Sequence, residues 1–175
     1  DVLKAKLGHD YGAALTAIFR PADAKPGAAH RSVLALGSQV IMTTNYDRLL
    51  EMAEQDPGRL MFTGVKSPAA LEEIRSGRNV LFKIHGSAED HNSVVLTLAE
   101  YSNAHSNPAY RKVLAHLMIS HSFLFVGYGM SDPNDLDVLL ASNADELGGA
   151  TSMHYALLQS SADRQADVER GSAFR

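Results

Sequence analysis

The residues best suited to chemistry are an amide, a carboxylate and an imidazole, each placed soon after an apolar run of the chain. Asn45 and Asp47 follow the run 39–43, and His85 follows the run 79–84. An amide donates and accepts hydrogen bonds, a carboxylate accepts them, and an imidazole can act as a general base near neutral pH. Such groups can orient a hydroxyl or a water molecule and take its proton. Simpler roles also fit: a helix cap for Asn45 or Asp47, and a hydrogen-bonded turn for His85.

A third polar segment follows the apolar run 122–126 and contains Gly127, Tyr128, Gly129, Ser131 and Asp132. Its glycines let the backbone approach a ligand closely, and backbone amides that precede a helix form a cradle for anions. Asp132 would repel a phosphate placed directly on it, so a ribose hydroxyl is its easier partner and the glycine backbone suits the phosphate. A well-capped turn from strand to helix is the alternative explanation.

The elements that must position these residues alternate between short β-rich runs and amphipathic helices. This alternation is typical of a parallel α/β sheet, in which ligands bind outside the carboxyl ends of the strands. We therefore expect all three polar segments to open on one edge of the sheet. The predicted strands are 39–43, 60–63, 79–84, 93–96, 122–126 and 154–158. The predicted helices are one ending before Pro21, 28–36, 48–55, 68–76, and three that start at Thr97, Pro108 and Pro133.

Two of the helix starts carry clear signals. Thr97 and Glu100 have the spacing of a capping box, and Asn107 is placed to cap the next helix. The apolar side chains of that next helix recur with helical spacing, which predicts one buried face. They are Tyr110, Val113, Leu114, Leu117 and Met118.

The length of 175 residues predicts a single domain spanning 1–175. The composition, with 45% hydrophobic and 21% charged residues, predicts an ordinary globular chain. The net charge of −4 counts against a dedicated nucleic-acid surface, and no apolar run is long enough to cross a bilayer.

The absence of cysteine excludes disulfides, zinc ribbons and thiol nucleophiles. The eight histidines show no spacing typical of a metal site, so no metal is predicted. The segment 58–67 departs from the P-loop pattern, and G-x-G-x-x-G and G-x-S-x-G are absent.

Four motifs, in the same order along 30–140, resemble the bacterial sirtuin-like domain. They are H-R-S-V-L at 30–34, T-T-N-Y-D at 43–47, K-I-H-G-S at 83–87 and G-Y-G-M-S-D-P at 127–133. These domains are distant relatives of the sirtuin deacylases, and many are NAD hydrolases of anti-phage defence proteins. The resemblance implies a Rossmann-like α/β fold, with a mainly parallel sheet flanked by helices, that binds NAD.

The resemblance also implies roles for individual residues. Asn45 and His85 match the catalytic pair of the family, and Asp47 matches an aspartate of the nicotinamide-side pocket. The segment that contacts ADP-ribose in the family is matched by Gly127, Tyr128 and Gly129. The complete predicted NAD-binding set is Thr44, Asp47, Gly86, Gly127, Tyr128, Gly129, Ser131 and Asp132.

Two departures from the family pattern shape the expected activity. The strand and glycine-rich loop that hold the NAD pyrophosphate find no match here, so we expect them upstream, in a larger protein with additional domains. Without them the segment is expected to bind NAD poorly. The cysteine zinc module of deacylating sirtuins is absent, and the interval that would hold it contains the two helices from Thr97 onward. This disfavours a deacylase and favours hydrolysis of NAD itself.

We therefore expect a cytoplasmic domain that cleaves NAD into nicotinamide and ADP-ribose, in defence by NAD depletion. A non-catalytic module that binds NAD or ADP-ribose is the main alternative, and a deacylase or ADP-ribosyltransferase of the same family is a lesser one. The resemblance further implies a possible homo-oligomer. We expect no membrane and no direct nucleic-acid contact.

Overall fold

The computed structural model describes residues 2–128 and 153–157. The chain divides into two compact units, Asp1–Tyr110 and Arg111–Arg175. In the first unit the helices are α1 (Val2–Leu7), α2 (Tyr11–Phe19), α3 (Ala28–Ala35), α4 (Leu49–Ala53), α5 (Ser67–Arg75) and α6 (Leu98–Ser106), and the strands are β1 (Val40–Thr43), β2 (Leu60–Thr63) and β3 (Val80–Lys83). Short 3-10 turns lie at Gly8–Asp10, Gly64–Lys66 and His91–Ser93. Helix α7 (Pro108–Ser120) begins at the end of this unit.

The sheet of the first unit is parallel and has the order β1-β3-β2. All four residues of the central strand β3 are buried, because a parallel sheet in an α/β fold is covered on both faces. Helix α4 connects β1 to β2, and helix α5 connects β2 to β3. The predicted α/β class, with a mainly parallel sheet and flanking helices, is confirmed.

Most predicted elements of the first unit are confirmed to within one or two residues. Gly37 follows α3 with a φ of 66°, a left-handed conformation that closes the helix at little cost for glycine. Asn107 accepts hydrogen bonds from the backbone amides of Ala109 and Tyr110, at 3.0 and 3.3 Å, which confirms it as the cap of α7. The whole predicted stripe of α7 is buried, at 4% exposure or less.

The opening segment, predicted as helical up to Pro21, consists of α1 and α2 with a 3-10 turn between them. Two predictions are wrong. Ile18, predicted on the apolar face of this segment, is 65% exposed. Tyr11 and Leu15 alone of that face are buried, where they pack with Val94. In place of the predicted strand 93–96, Ser93 ends a 3-10 turn, and 94–96 follow it without pairing with any of the described strands.

The second unit contains β4 (Leu124–Val126) and β5 (Tyr155–Leu157), which pair in parallel. Phe125 is 8% exposed, whereas Leu124 and Val126 are half exposed, so only one face of β4 is buried. Burial lowers the pKa of the His154 imidazole, and its Nδ1 accepts a hydrogen bond from the Phe123 amide at 3.2 Å. The helix predicted from Pro133 lies outside the described residues.

The capping box at the start of α6 is confirmed. Thr97 Oγ1 accepts a hydrogen bond from the Glu100 amide, and the Glu100 carboxylate accepts from the amides of Thr97 and Leu96. Lys4 of α1 adds an ion pair of 2.6 Å. Burial alone would raise the pKa of Glu100, but the hydrogen bonds from Lys4 and the two amides outweigh it and lower that pKa to about 2.

Replacing Glu100 by alanine should lower the free energy of unfolding near pH 7 by about 1–2 kcal/mol, through the lost cap and ion pair. Because folding depresses this pKa, the contribution is present above the unfolded value of about 4.3 and is lost as pH falls toward 2. Urea unfolding of wild type and variant at a series of pH values measures the difference. Glu72→Ala removes an exposed glutamate of α5 and serves as the control. A difference that stays constant down to the acid limit would contradict this account.

Candidate active site at the carboxyl ends of the parallel strands

The structure brings two of the predicted segments together at one edge of the sheet. Strands β1 and β3 pair with Thr43 opposite Lys83, and the Ile84 amide donates to the Thr43 carbonyl at 3.0 Å. The loop 44–47 and the turn 84–87 therefore leave neighbouring strands in the same direction. A further bond from the Ala88 amide to the Tyr46 carbonyl, also 3.0 Å, joins the two segments beyond the strands.

The loop 44–47, here called the Asn45 loop, exposes the side chain of Asn45 to solvent. Thr44 is partly buried and Asn45 is exposed. The backbone amide of Asn45 donates to Thr43 Oγ1 at 3.1 Å, which shapes the turn out of β1. Within the described part of the chain the side-chain amide of Asn45 has no hydrogen-bond partner, so a ligand bound there would break no hydrogen bond among these residues.

Tyr46 fixes the middle of the Asn45 loop to the rest of the first unit. Its hydroxyl donates to the Val95 carbonyl at 2.5 Å, and its ring packs against Phe19 with centroids 4.7 Å apart. This side chain thus points toward the small core around α2. The loop is held at its centre while Asn45 stays accessible.

Asp47 has a structural role in addition to any role in binding. Its Oδ1 accepts a hydrogen bond from the Leu49 amide at 2.8 Å, which satisfies a free amide at the start of α4. Asp47 therefore stabilises the start of α4, as the capping alternative expected, although the N-cap residue itself is Arg48. Its placement on the nicotinamide side of a pocket stays a prediction.

His85 lies within the turn after β3 and is only 3% exposed. Its ring meets Tyr101 of α6 edge-on, with centroids 5.1 Å apart, and its carbonyl accepts the Val95 amide at 2.9 Å. Another histidine, His105 of α6, lies on the far side of Tyr101, with 6.3 Å between the ring centroids of His105 and Tyr101. His85 is therefore a buried imidazole next to an aromatic side chain, and not an open group at the rim of the sheet.

The turn after His85 requires glycine. Gly86 has a φ of 90°, a conformation that residues with a Cβ rarely adopt. A Cβ at this position would overlap the carbonyl group of Ser93. Ser93 is itself fixed, since its Oγ accepts the Ser87 amide at 3.0 Å and donates to the Asp90 carbonyl at 2.7 Å.

The change Gly86→Ala should lower the free energy of unfolding by about 2–4 kcal/mol, from backbone strain and the forced overlap together. Gly77→Ala is a matched control, because Gly77 has a φ of 83° but open space around its missing Cβ. The control should lose only the strain, about 1 kcal/mol. Thermal unfolding of both variants measures the difference, and equal losses would show that the contact with Ser93 is not tight.

Sequence reasoning missed Lys83, the last residue of β3. This lysine is 0% exposed and bonds to the carbonyls of Tyr46 and Asp47 and to Glu51. The signal was a single lysine at the end of an otherwise apolar strand, in the run N-V-L-F-K-I. Such a side chain needs a buried partner, but the sequence does not show which partner.

Only part of the third predicted segment belongs to the described residues. Gly127 follows β4 with a φ of 67°, and the ring of Tyr128 lies 5.9 Å from that of Phe125 in the same unit. Gly129, Ser131 and Asp132 lie outside the described residues. That this segment shares an edge with Asn45 and His85 stays a prediction.

A cavity of about 320 Å³ in the first unit is lined by none of the predicted site residues. Its wall carries three carboxylates, which would repel a phosphate. The lining residues are Glu51, Glu54, Gln55, Asp56, Pro57, Arg59, Met61 and Leu81.

In the described part of the chain, no three His, Asp or Glu side chains are grouped so as to hold a metal ion. None of the described helices is long and apolar enough to cross a membrane.

Comparison with known proteins gives consistent matches. The model of the SIR2-like domain matches residues 39–174. The NAD(+) hydrolase ThsA of Bacillus cereus (strain MSX-D12) is 30% identical over 150 residues, 83% of this chain and 31% of that protein. The protein of the same name from Cytobacillus dafuensis is 32% identical over 141 residues, 79% of this chain and 28% of that protein.

A third relative, defense-associated sirtuin 2 of Bacillus subtilis, is 28% identical over 120 residues, 66% of this chain and 12% of that protein. The chain thus spans less than a third of the length of these curated relatives. The family model covers most of the chain and includes three of the four motifs, and the predicted family is confirmed. The chain belongs to the SIR2-like domain family.

Proposed function

We propose that this chain is the catalytic domain of an NAD hydrolase, which breaks the bond between nicotinamide and ribose. The observation that carries the proposal is the parallel pairing of β1 with β3, which brings the Asn45 loop and His85 to the same sheet edge. The relatives named NAD(+) hydrolase ThsA support it. The substrate is NAD, and no metal is part of the proposal.

The reaction replaces the nicotinamide of NAD by water at the anomeric carbon of the ribose. The carbon–nitrogen bond breaks and its electron pair returns to the nicotinamide ring, which loses its positive charge. The ribose passes through an oxocarbenium-like state, as in glycoside hydrolysis. Water then forms the new carbon–oxygen bond and gives up a proton, so that the products are nicotinamide, ADP-ribose and a proton.

In this proposal Asn45 and His85 act on the ribose. A neutral His85 accepts a hydrogen bond from a ribose hydroxyl and stabilises or deprotonates it as charge develops. The exposed amide of Asn45 orients the ribose or the attacking water. Because His85 is buried in this structure, its ring meets substrate only when the side chains that cover it, Tyr101 among them, move aside.

The remaining predicted contacts extend the site along the NAD molecule. Asp47 contributes to the nicotinamide end, and Thr44 and Gly86 are further contacts to NAD next to the catalytic pair. Gly127, Tyr128, Gly129, Ser131 and Asp132 contact the ADP-ribose part. The proposal includes further domains of the same protein, since the relatives are more than three times as long as the region matched. It also keeps a homo-oligomer as a prediction.

The biological role that we propose is anti-phage defence by depletion of cytoplasmic NAD. The relative named defense-associated sirtuin 2 supports this role. A non-catalytic module that binds NAD or ADP-ribose is the second candidate. The burial of His85 and the use of Asp47 as a helix cap favour it, because both residues have structural roles without a substrate.

The test is product analysis after incubation of the full-length protein with NAD. The proposal predicts equal amounts of nicotinamide and ADP-ribose on chromatography. When the reaction is run in ¹⁸O-labelled water, the label should appear in ADP-ribose. NAD that binds and is recovered intact would support the binding module. Consumption of NAD only in the presence of an acylated or acceptor protein would support a deacylase or transferase.

A further inference from the structure

We propose that Lys83 is a positioning residue that holds the Asn45 loop in its productive conformation through a buried ion pair with Glu51. The inference rests on the proposed function, because it concerns the same Asn45. Lys83 is 0% exposed, and its ammonium contacts the carbonyls of Tyr46 and Asp47 and the side chain of Glu51. Its effect on the reaction must pass through the groups that it contacts.

The three contacts of the Lys83 ammonium all lie on the Asn45 loop and the helix that follows it. Nζ donates to the carbonyl of Tyr46 at 3.5 Å and to the carbonyl of Asp47. It also donates to Glu51 Oε1 at 2.8 Å. An ammonium has three N–H donors, and those of Lys83 bond to the two residues directly after Asn45 and to Glu51 of α4.

The contacts link the two strand ends of the site. Lys83 ends β3, two residues before His85, whereas Tyr46 and Asp47 belong to the loop that leaves β1. The lysine thus sets the height of the Asn45 loop above the sheet relative to the turn that carries His85. A displacement of a reacting group by about 1 Å can reduce an enzymatic rate by about 100-fold. A shift of the Asn45 loop on loss of these bonds would therefore lower the turnover rate.

Holding a loop with a buried ion pair is costly in free energy, and this cost favours a specific role for the pair. A buried charge costs stability unless it is paired. The other carboxylate oxygen of Glu51, Oε2, is buried and has no hydrogen-bond partner among the described residues. Glu51 therefore depends on Lys83. Loss of the lysine alone would leave a mostly buried carboxylate, 14% exposed, unpaired and would destabilise the protein for reasons unrelated to the loop.

The test removes both charges in one variant, Lys83→Met with Glu51→Leu, in the full-length protein. Apolar replacement of a whole buried ion pair is often neutral or stabilising, so the variant should fold. The lost donors to Tyr46 and Asp47 should still lower kcat for nicotinamide release by about 10- to 100-fold, with KM for NAD changed by less than about threefold. Ile74→Ala, a buried change in α5, is the control for lost stability and should keep kcat.

Hydrogen exchange supplies a readout that does not depend on activity. The backbone amides of 44–47 should exchange faster in the variant with both Lys83→Met and Glu51→Leu, here called the paired variant, than in wild type. The exchange rates of the amides of β2 should stay the same. If the paired variant does not fold, Lys83→Arg keeps a charge for Glu51 but displaces the donors, and the same criteria apply.

The outcomes separate the two claims. Wild type that releases no nicotinamide would overturn the proposed function, and the exchange of 44–47 would still decide the role of Lys83. An active wild type with an equally active paired variant would overturn the positioning role alone. Loss of kcat in Ile74→Ala to the same degree would reduce Lys83 to a contribution to stability.

Discussion

Replacing His85 by alanine is expected to lower the rate of nicotinamide release from NAD by about 100-fold or more. The imidazole is the side chain at this sheet edge best suited to accept a proton from a ribose hydroxyl near neutral pH. Alanine removes the acceptor and leaves a space next to Tyr101. Chromatography of nicotinamide at saturating NAD gives kcat, which should fall much more than KM changes.

Two controls separate this loss from unfolding. His85 is buried, so its truncation also lowers stability, and His85→Gln, which retains an amide near the size of the ring, tests the chemistry with less disturbance of packing. His9→Ala removes an exposed histidine of the same unit and should leave turnover at the wild-type rate. A His85→Ala protein that turns over NAD normally would remove His85 from the mechanism.

Replacing Asn45 by alanine is expected to cause a loss of similar size, about 100-fold in kcat, with almost no effect on stability. The residue is exposed, and exposed substitutions usually change the free energy of unfolding by less than about 0.5 kcal/mol. The lost amide can no longer orient the ribose or the water, which is the contribution expected of a positioned polar group.

The combination of lost activity and retained stability is what makes Asn45 informative. Thermal unfolding of Asn45→Ala should match wild type while nicotinamide release falls. Asn103→Ala, at an exposed position of α6, is the matched control and should change neither quantity. If Asn45→Ala retains full activity, the exposed amide has no part in the reaction.

Local signals in the sequence were sufficient for most elements of the first unit. The box of Thr97 and Glu100 and the cap at Asn107 depend on residues three or fewer apart, and the structure contains both. The same holds for Gly37, where a left-handed glycine ends α3. The edge shared by the Asn45 loop and the His85 turn followed from parallel pairing alone, because strand direction fixes where their carboxyl ends lie.

Features set by contacts between distant parts of the chain could not be predicted. The burial of His85 depends on Tyr101 of α6, sixteen positions away, and the pairing of Lys83 with Glu51 spans 32 positions. No local period marks either contact. The predicted strand 93–96 also failed on a contact that no local period marks, since Ser93 ends a 3-10 turn and bonds to the Ser87 amide six positions away.

We propose that Asn45 and His85, brought to one edge by β1 and β3, act together in one NAD-hydrolysing site. The most direct test measures nicotinamide release by the full-length wild type, Asn45→Ala, His85→Ala and the double variant. Groups that act as a unit lose activity non-additively, so the double variant should be close to the weaker single variant. If the fold-losses of the two single variants multiply in the double variant, the two residues act independently, which would contradict a shared site. If wild type releases no nicotinamide, NAD hydrolysis itself is contradicted.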